Sequence, residues 1–401
     1  MTRDDLTAAP LLVLLVGAAG AFGRRLAEGL AREPGIRLIL AGRTRPSLAR
    51  LRRVLGGTAA IRVLDRDRVT PADLEALHAA FVIDAAGPFQ DSRTALIEAA
   101  IDAGCHYIDL ADGREFVSNI RRFGAAAQRA NVAVLSGASS TPALSHAVLD
   151  GLTEGWRRID TLRVAISPGN RAPRGLAVMQ AILSWAGRPV RVFRDGGWTT
   201  APGWGASRRI EFPGLGVRLA ALCETPDLDL MVERYEPRIA AEFLAGLELR
   251  ILHYGLALAA LPVRCGWLRS LLPLARPLRF LATLLRPFGS DRGGMVVEAS
   301  GRDAGDRPAI ARWSLVAEAG TGPYVPTLAA LALVRQVRDG CLAFRGAAPC
   351  TGILTLDEFA PDFARLGIVT ATECRPVNDR GRSAVGQESK PAPAERVLII
   401  R

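Results

Sequence analysis

The chain has 401 residues, 49% of them hydrophobic, and its formal net charge of +11 is carried almost wholly by arginine, because Lys390 is the only lysine. That length supports two domains with sizeable cores. The single lysine excludes a P-loop, a lysine Schiff base and a Tyr-x-x-x-Lys catalytic pair, each of which needs a lysine at a defined place. The arginines are spread along the chain and interleaved with apolar residues, with no aromatic-rich basic motif, so no nucleic-acid partner is expected. None of the six cysteines forms a C-x-x-C and no histidine stands at ligand spacing, so reduced thiols and no metal are expected.

Arg3, Asp4 and Asp5 precede the first apolar run, Leu11 to Val16. The run reads as a strand rather than a signal peptide, and the chain is expected to be cytoplasmic. It ends in glycines at G-x-x-G-x-x-G spacing: Gly17, Gly20 and Gly23, with Ala19, Ala21 and Phe22 between them. A helical pattern follows from Phe22 to about Arg32. Strand, tight turn and helix in this order let backbone N–H groups approach a pyrophosphate, with the helix N-terminus adding partial positive charge. Ile36 to Gly42 reads as a second strand, followed by Arg43, Thr44 and Arg45. An acid at this place holds the ribose 2′-hydroxyl of NAD, whereas arginine accommodates a 2′-phosphate, so the cofactor expected is NADP. The competing reading makes Arg43 and Arg45 solvated residues opening a helix.

Further strands are expected over Ile61–Asp65, Phe81–Pro88, His106–Leu110 and Val132–Ser136, with helices over 92–103 and 114–130. This alternation predicts the α/β class: an N-terminal Rossmann, doubly wound parallel sheet over residues 1–140. Ligands bind at the carboxyl ends of such strands, where Gly17, Arg43, Asp65, Gly87 and Gly137 fall. Beyond Ser139 the rhythm changes. Strands over Thr161–Ser167, Trp198–Glu211 and Ile310–Ala319, with helices over 176–185 and 327–338, predict a second, α+β domain for substrate binding and dimerisation over 141–370. Residues 371–401 are polar and are expected to form a disordered tail.

Residues 249–290 hold no Asp or Glu but include Arg250, Arg264, Arg269, Arg276, Arg279 and Arg286 among many leucines. The arginines interrupt any apolar run long enough to span a bilayer. Two readings compete: buried helices whose arginines snorkel or pair with acids elsewhere, and an interfacial segment on a membrane. The four prolines Pro262, Pro273, Pro277 and Pro287 break any long amphipathic helix and tip the sequence reading towards buried helices.

Together these motifs resemble the saccharopine dehydrogenase-like oxidoreductases, up to about Ile368. The resemblance rests on the Gly17–Gly23 turn, Ala41-Gly42-Arg43-Thr44, Ala85-Ala86-Gly87-Pro88-Phe89 and Ala103-Gly104-Cys105-His106-Tyr107-Ile108-Asp109-Leu110. Gly322-Pro323-Tyr324-Val325-Pro326 and Gly346-Ala347-Ala348-Pro349-Cys350 look like C-terminal signatures of bacterial members. The resemblance implies an NADP-binding domain followed by a substrate and dimer domain, hence a homodimer. It also places Ala86, Gly87, Pro88 and Phe89 beside the cofactor. Relatives that reduce amino acids carry Asp-Pro-Gly-Ile-Asp-His where this chain has Thr141-Pro142-Ala143-Leu144-Ser145-His146. With both acids gone, a less polar substrate is implied.

Reduction of a carbonyl or imine needs a proton donor, and the candidates are His146 and Tyr107, with His106 weaker. Asp109 either orients a partner or is structural. The sequence thus predicts an NADP-dependent oxidoreductase acting on a C=O, C=N or C=C bond of a weakly polar small molecule. Its rivals are a membrane-associated lipid enoyl or keto reductase and a non-catalytic NADP-binding scaffold.

Overall fold

A computed structural model describes residues 9–90, 92–173 and 175–376. The chain forms two compact units. The first comprises the residues up to Leu144 together with Pro323–Leu354; the second comprises Ser145–Gly322 and the residues from Thr355 onward. The single cut expected near residue 140 is therefore incomplete, because a later segment returns to the first unit.

The first unit holds a seven-stranded, all-parallel sheet. Its strands are β1 (Leu11–Val16), β2 (Ile36–Gly42), β3 (Ala60–Val63), β4 (Phe81–Asp84), β5 (His106–Asp109), β6 (Ala133–Ser136) and, from the returning segment, β15 (Gly346–Pro349). Their order is β15-β6-β5-β4-β1-β2-β3, so the strand sequence reverses beside β1. In β1, Val13, Leu14, Leu15 and Val16 are all buried, as a parallel strand covered on both faces requires. On one face Leu14, Val16, Val82, Tyr107 and Val134 pack with Leu96, Ile97 and Ala100 of the helix Ala95–Asp102. The returning segment is tied by polar contacts to the first helix and the loop after it. The Tyr324 hydroxyl donates to Glu28 Oε2 at 2.6 Å, and Arg335 and Arg338 both pair with Glu33. The helix expected over 114–130 is broken into Arg114–Asn119, a 3₁₀ turn and Gly124–Arg129.

The second unit is built on a nine-stranded mixed sheet. Its strands are β7 (Arg158–Ser167), β8 (Pro189–Arg194), β9 (Gly197–Pro202), β10 (Ser207–Phe212), β11 (Gly216–Leu222), β12 (Ala240–Gly246), β13 (Gly293–Arg302), β14 (Pro308–Ala317) and β16 (Val369–Pro376). The main path is β10-β11-β12-β7-β13-β14-β16, in which only β12 and β7 run parallel; β8 pairs with β12 and β9. The span 198–211, expected as one strand, is two strands, β9 and β10. β16 claims the first six residues of the expected tail, and 377–401 lie outside the described residues.

The expectation of buried helices over 249–290 fails. The helices Arg250–Ala259 and Ala275–Leu284 turn large apolar side chains outward, and all six arginines of the segment are exposed. No helix among the described residues is long and apolar enough to cross a membrane.

Candidate functional site

The chain reverses at the end of β1 through Gly17, whose φ of +75° disfavours any side chain. A Cβ there would also lie 2.7 Å from the Ala86 nitrogen, so the β1 turn and the loop after β4 are in backbone contact. Gly20 caps the helix Ala21–Leu30, and its N–H donates to the Gly17 carbonyl at 2.9 Å. A Cβ on Gly23 would sit 2.2 Å from that same carbonyl, so the helix starts this close to the strand only with glycine there. Helix geometry leaves the first-turn N–H groups of Ala21 and Phe22 without intrahelical acceptors. No side chain caps this end and no acid lies in the first turn. Ala19 and Gly20 are exposed, and Ala21 and Phe22 partly so. The cradle therefore offers backbone donors and a positive helix end to an anion, which fits a dinucleotide pyrophosphate.

β2 pairs with β1 in register Val16 to Ala41, and the Ala18 N–H donates to the Ala41 carbonyl at 3.1 Å, so the end of β2 abuts the turn. Arg43, Thr44 and Arg45 follow it and are all exposed. Among the described residues neither arginine makes an ion pair. Thr44 is the N-cap of the helix Arg45–Val54, its side chain makes no capping bond, and no acid occupies the first turn. Two unpaired guanidiniums, a hydroxyl and a helix N-terminus thus converge where a 2′-phosphate would lie. Asp65, exposed beyond β3, accepts from the Asp67 backbone N–H at 3.2 Å and so shapes the adjoining turn.

The loop after β4 is held from beneath. Asp84, buried at the strand end, accepts from the Ala86 N–H at 2.9 Å and pairs with Arg66 Nη1 at 3.0 Å. Arg66 also donates to Ser92 Oγ and lies over the Phe89 ring, while Ser92 Oγ donates to the Pro88 carbonyl at 2.7 Å. Burial pushes the Asp84 carboxyl above its usual range, and Arg66 opposes that rise. The peptide bond between Gly87 and Pro88 is cis, and both residues are exposed. Phe89 is buried against Phe116, so its side chain anchors the loop. Sequence reasoning missed Arg66 and Asp84. The one available signal was an acid closing an apolar strand, repeated in β5.

That second acid, Asp109, is fully buried. Its Oδ1 accepts from the Gly137 N–H at 2.8 Å, Ser136 Oγ at 2.9 Å and the Ala111 N–H at 3.0 Å. Burial pushes its carboxyl up to about 7 against these bonds. Asp109 is thereby a clamp between the ends of β5 and β6.

The expected proton donors are not at the strand ends. Tyr107 has no exposed surface; it belongs to the core between β4 and β6, and burial holds its hydroxyl well above the usual range. A strand residue packed under helices cannot reach a bound substrate, so the expectation for Tyr107 is corrected to a core role. His106 Nδ1 accepts the Ala133 N–H at 3.0 Å and ties β5 to β6. His146 lies in the second unit, fully buried on the helix Ser145–Leu152. It stacks on Tyr235 at 5.6 Å, with Nδ1 3.8 Å from Asp227 Oδ1. Ser145 Oγ donates to the same Asp227 oxygen, and burial pushes that carboxyl up to about 7. A carboxylate does therefore stand beside Ser145 and His146, but it comes from 82 residues along the chain, where no motif announced it.

Glycine cradle, unpaired basic end of β2 and braced β4 loop together define a Rossmann domain that binds a nicotinamide dinucleotide. Residues 13–139 match the saccharopine dehydrogenase NADP binding domain. Among solved structures, the fold is similar to apo saccharopine dehydrogenase (L-Glu forming) from Saccharomyces cerevisiae, with 12% identity and TM-score 0.66 over 91% of this chain and 100% of that one. It is also similar to the homospermidine synthase of Legionella pneumophila in complex with NAD, with 12% identity and TM-score 0.54 over 96% and 95% of the two chains. Among curated proteins no match is found.

Proposed function

We propose that the protein is an NADP-dependent oxidoreductase that moves a hydride to or from a C=O, C=N or C=C bond of a weakly polar small molecule. The observation that carries this reading is the pair of unpaired arginines, Arg43 and Arg45, beside an uncapped helix and next to the glycine cradle. The dehydrogenase and the NAD-bound synthase that share its fold are consistent with it. When bound, the nicotinamide would donate or accept the hydride. The protein's part is positional. Ala21 and Phe22 hold the pyrophosphate, Arg43 and Arg45 the 2′-phosphate, and the Asp84–Arg66 frame fixes the Ala86–Pro88 backbone. The substitution of Thr141 and Ser145 for acids, with burial disfavouring the charged form of Asp227, supports a substrate without a strong cationic group. Homodimer formation and a cytoplasmic setting belong to the same proposal.

Titration of the purified protein with NADPH and NADH, followed by NADPH-oxidation assays on ketones, imines and enones, tests it. Tight NADPH binding with turnover of one class supports it; binding of neither nucleotide refutes it. The burial of both expected proton donors, Tyr107 and His146, favours a second reading, a non-catalytic NADP-binding protein. Tight NADPH binding with no oxidation by any class would select that reading.

A further inference from the structure

The helices Arg250–Ala259 and Ala275–Leu284 of the second unit face the wrong way for a protein surrounded by water. On Ala275–Leu284, Ala275 and Ala282 are buried, and Phe280 and Leu284 occupy the opposite side of the helical wheel, Phe280 at 67% exposure. On Arg250–Ala259, His253 is buried and Ile251, Tyr254 and Leu258 point outward, Leu258 at 68%. Between the helices Trp267 is 81% exposed. Residues 250–288 are 39 of the 401, yet they carry twelve of the nineteen large hydrophobic side chains exposed among the described residues. Such a concentration of exposed apolar side chains in one segment marks a contact site.

Charge identifies what the surface contacts. Arg276 and Arg279 flank Phe280 on one side of its helix, and Arg250 stands likewise beside Tyr254. Among the described residues none of the six arginines of this segment makes an ion pair, and residues 249–290 contain no acid. Elsewhere in the same unit arginines find partners readily: Glu242 alone takes Arg163, Arg194 and Arg208. A second copy docked about a two-fold axis would set this cationic rim against itself. A bilayer bearing anionic lipid supplies hydrocarbon for Phe280 and Leu284, an interfacial depth suited to Trp267 and Tyr254, and headgroup charge for the arginines.

We infer that the 250–288 face lies on the surface of membranes containing anionic lipid. The helices are short and end near prolines, so the segment rests in the interface plane rather than crossing it. This inference does not depend on the redox reading.

The test is co-sedimentation of the full chain with phosphatidylcholine vesicles, with and without phosphatidylglycerol. The expected result is binding to the mixed vesicles, weakened roughly tenfold in their pure phosphatidylcholine counterparts and again at high salt. Two variants, Trp267→Ser with Phe280→Ser, and Arg269→Gln with Arg276→Gln and Arg279→Gln, are each expected to lower partitioning roughly tenfold. The exposed Val54→Ser, in the other unit, is not expected to change it. Circular dichroism and NADPH titration of each variant report folding and cofactor binding separately, so a failed cofactor proposal does not masquerade as a failed membrane one. No sedimentation with anionic vesicles, or partitioning unchanged by both variants, overturns the inference. A dimer in light scattering that the Trp267→Ser, Phe280→Ser protein abolishes also overturns it, by assigning the face to a second copy.

Discussion

Replacing Arg43 by glutamate separates recognition of the 2′-phosphate from the rest of dinucleotide binding. Arg43 is exposed just past β2 and has no ion pair among the described residues, so its loss breaks no contact that holds the fold. The pairing of β1 with β2 and the cradle at Gly17 and Gly20 are untouched. A charge-assisted contact to phosphate contributes about 1.5–3 kcal/mol. A carboxylate in its place adds surface repulsion of about 1 kcal/mol. The sum, about 3 kcal/mol, weakens NADPH binding roughly 100-fold. NADH lacks the 2′-phosphate, and a carboxylate at this place accepts from a ribose 2′-hydroxyl, so NADH affinity is expected to hold or improve. Calorimetric titration of both nucleotides against wild type and Arg43→Glu measures the change in selectivity directly. Unchanged NADPH affinity would show that the arginine is a solvated surface residue, and equal losses for both nucleotides would show that the substitution disturbed the cradle instead.

Three further changes probe the framework. Gly23→Ala puts a Cβ 2.2 Å from the Gly17 carbonyl, forcing the helix off the strand; lost dinucleotide binding and a lower melting temperature are expected, and a wild-type NADPH isotherm would refute the packing argument. Arg66→Met leaves Asp84 buried without its cation, a cost of about 3 kcal/mol in urea unfolding at neutral pH. Because burial already raises the Asp84 carboxyl, that deficit shrinks as the pH falls and the group takes up a proton; a pH-independent deficit would contradict it. Asp109→Asn keeps an oxygen for the Gly137 and Ala111 N–H groups but removes the titration. In wild type the folded carboxyl titrates near 7 and the unfolded one near 4, so the folded state holds the extra proton between them. This contribution to stability is full below about pH 4, falls as the pH rises to about 7 and is flat above. The stability of Asp109→Asn relative to wild type is therefore expected to rise across that window, by at most about 1.4 kcal/mol per pH unit. Parallel stability profiles would sink the assignment.

What the sequence by itself determined is local. The glycine spacing at Gly17, Gly20 and Gly23 dictates the turn because only a missing Cβ permits a positive φ and backbone contact there, and neither requirement depends on distant residues. The apolar runs of β1, β2 and β4 and the arginines after β2 are legible for the same reason: strand, stop and end-residue chemistry are encoded within a few positions. Tertiary structure alone decided where Pro323–Leu354 belongs, since β15 closes a sheet edge through pairing with a strand some 210 residues earlier. It also decided that Tyr107 is core, that Arg66 braces Asp84, and that Asp227 stands beside Ser145 and His146. Apolar residues every three or four positions predict that a helix has an apolar face, not whether a neighbour covers it. For 250–288 the fold leaves that face open: the helix Ala275–Leu284 buries only the small side chains of Ala275 and Ala282, and its bulky ones point outward.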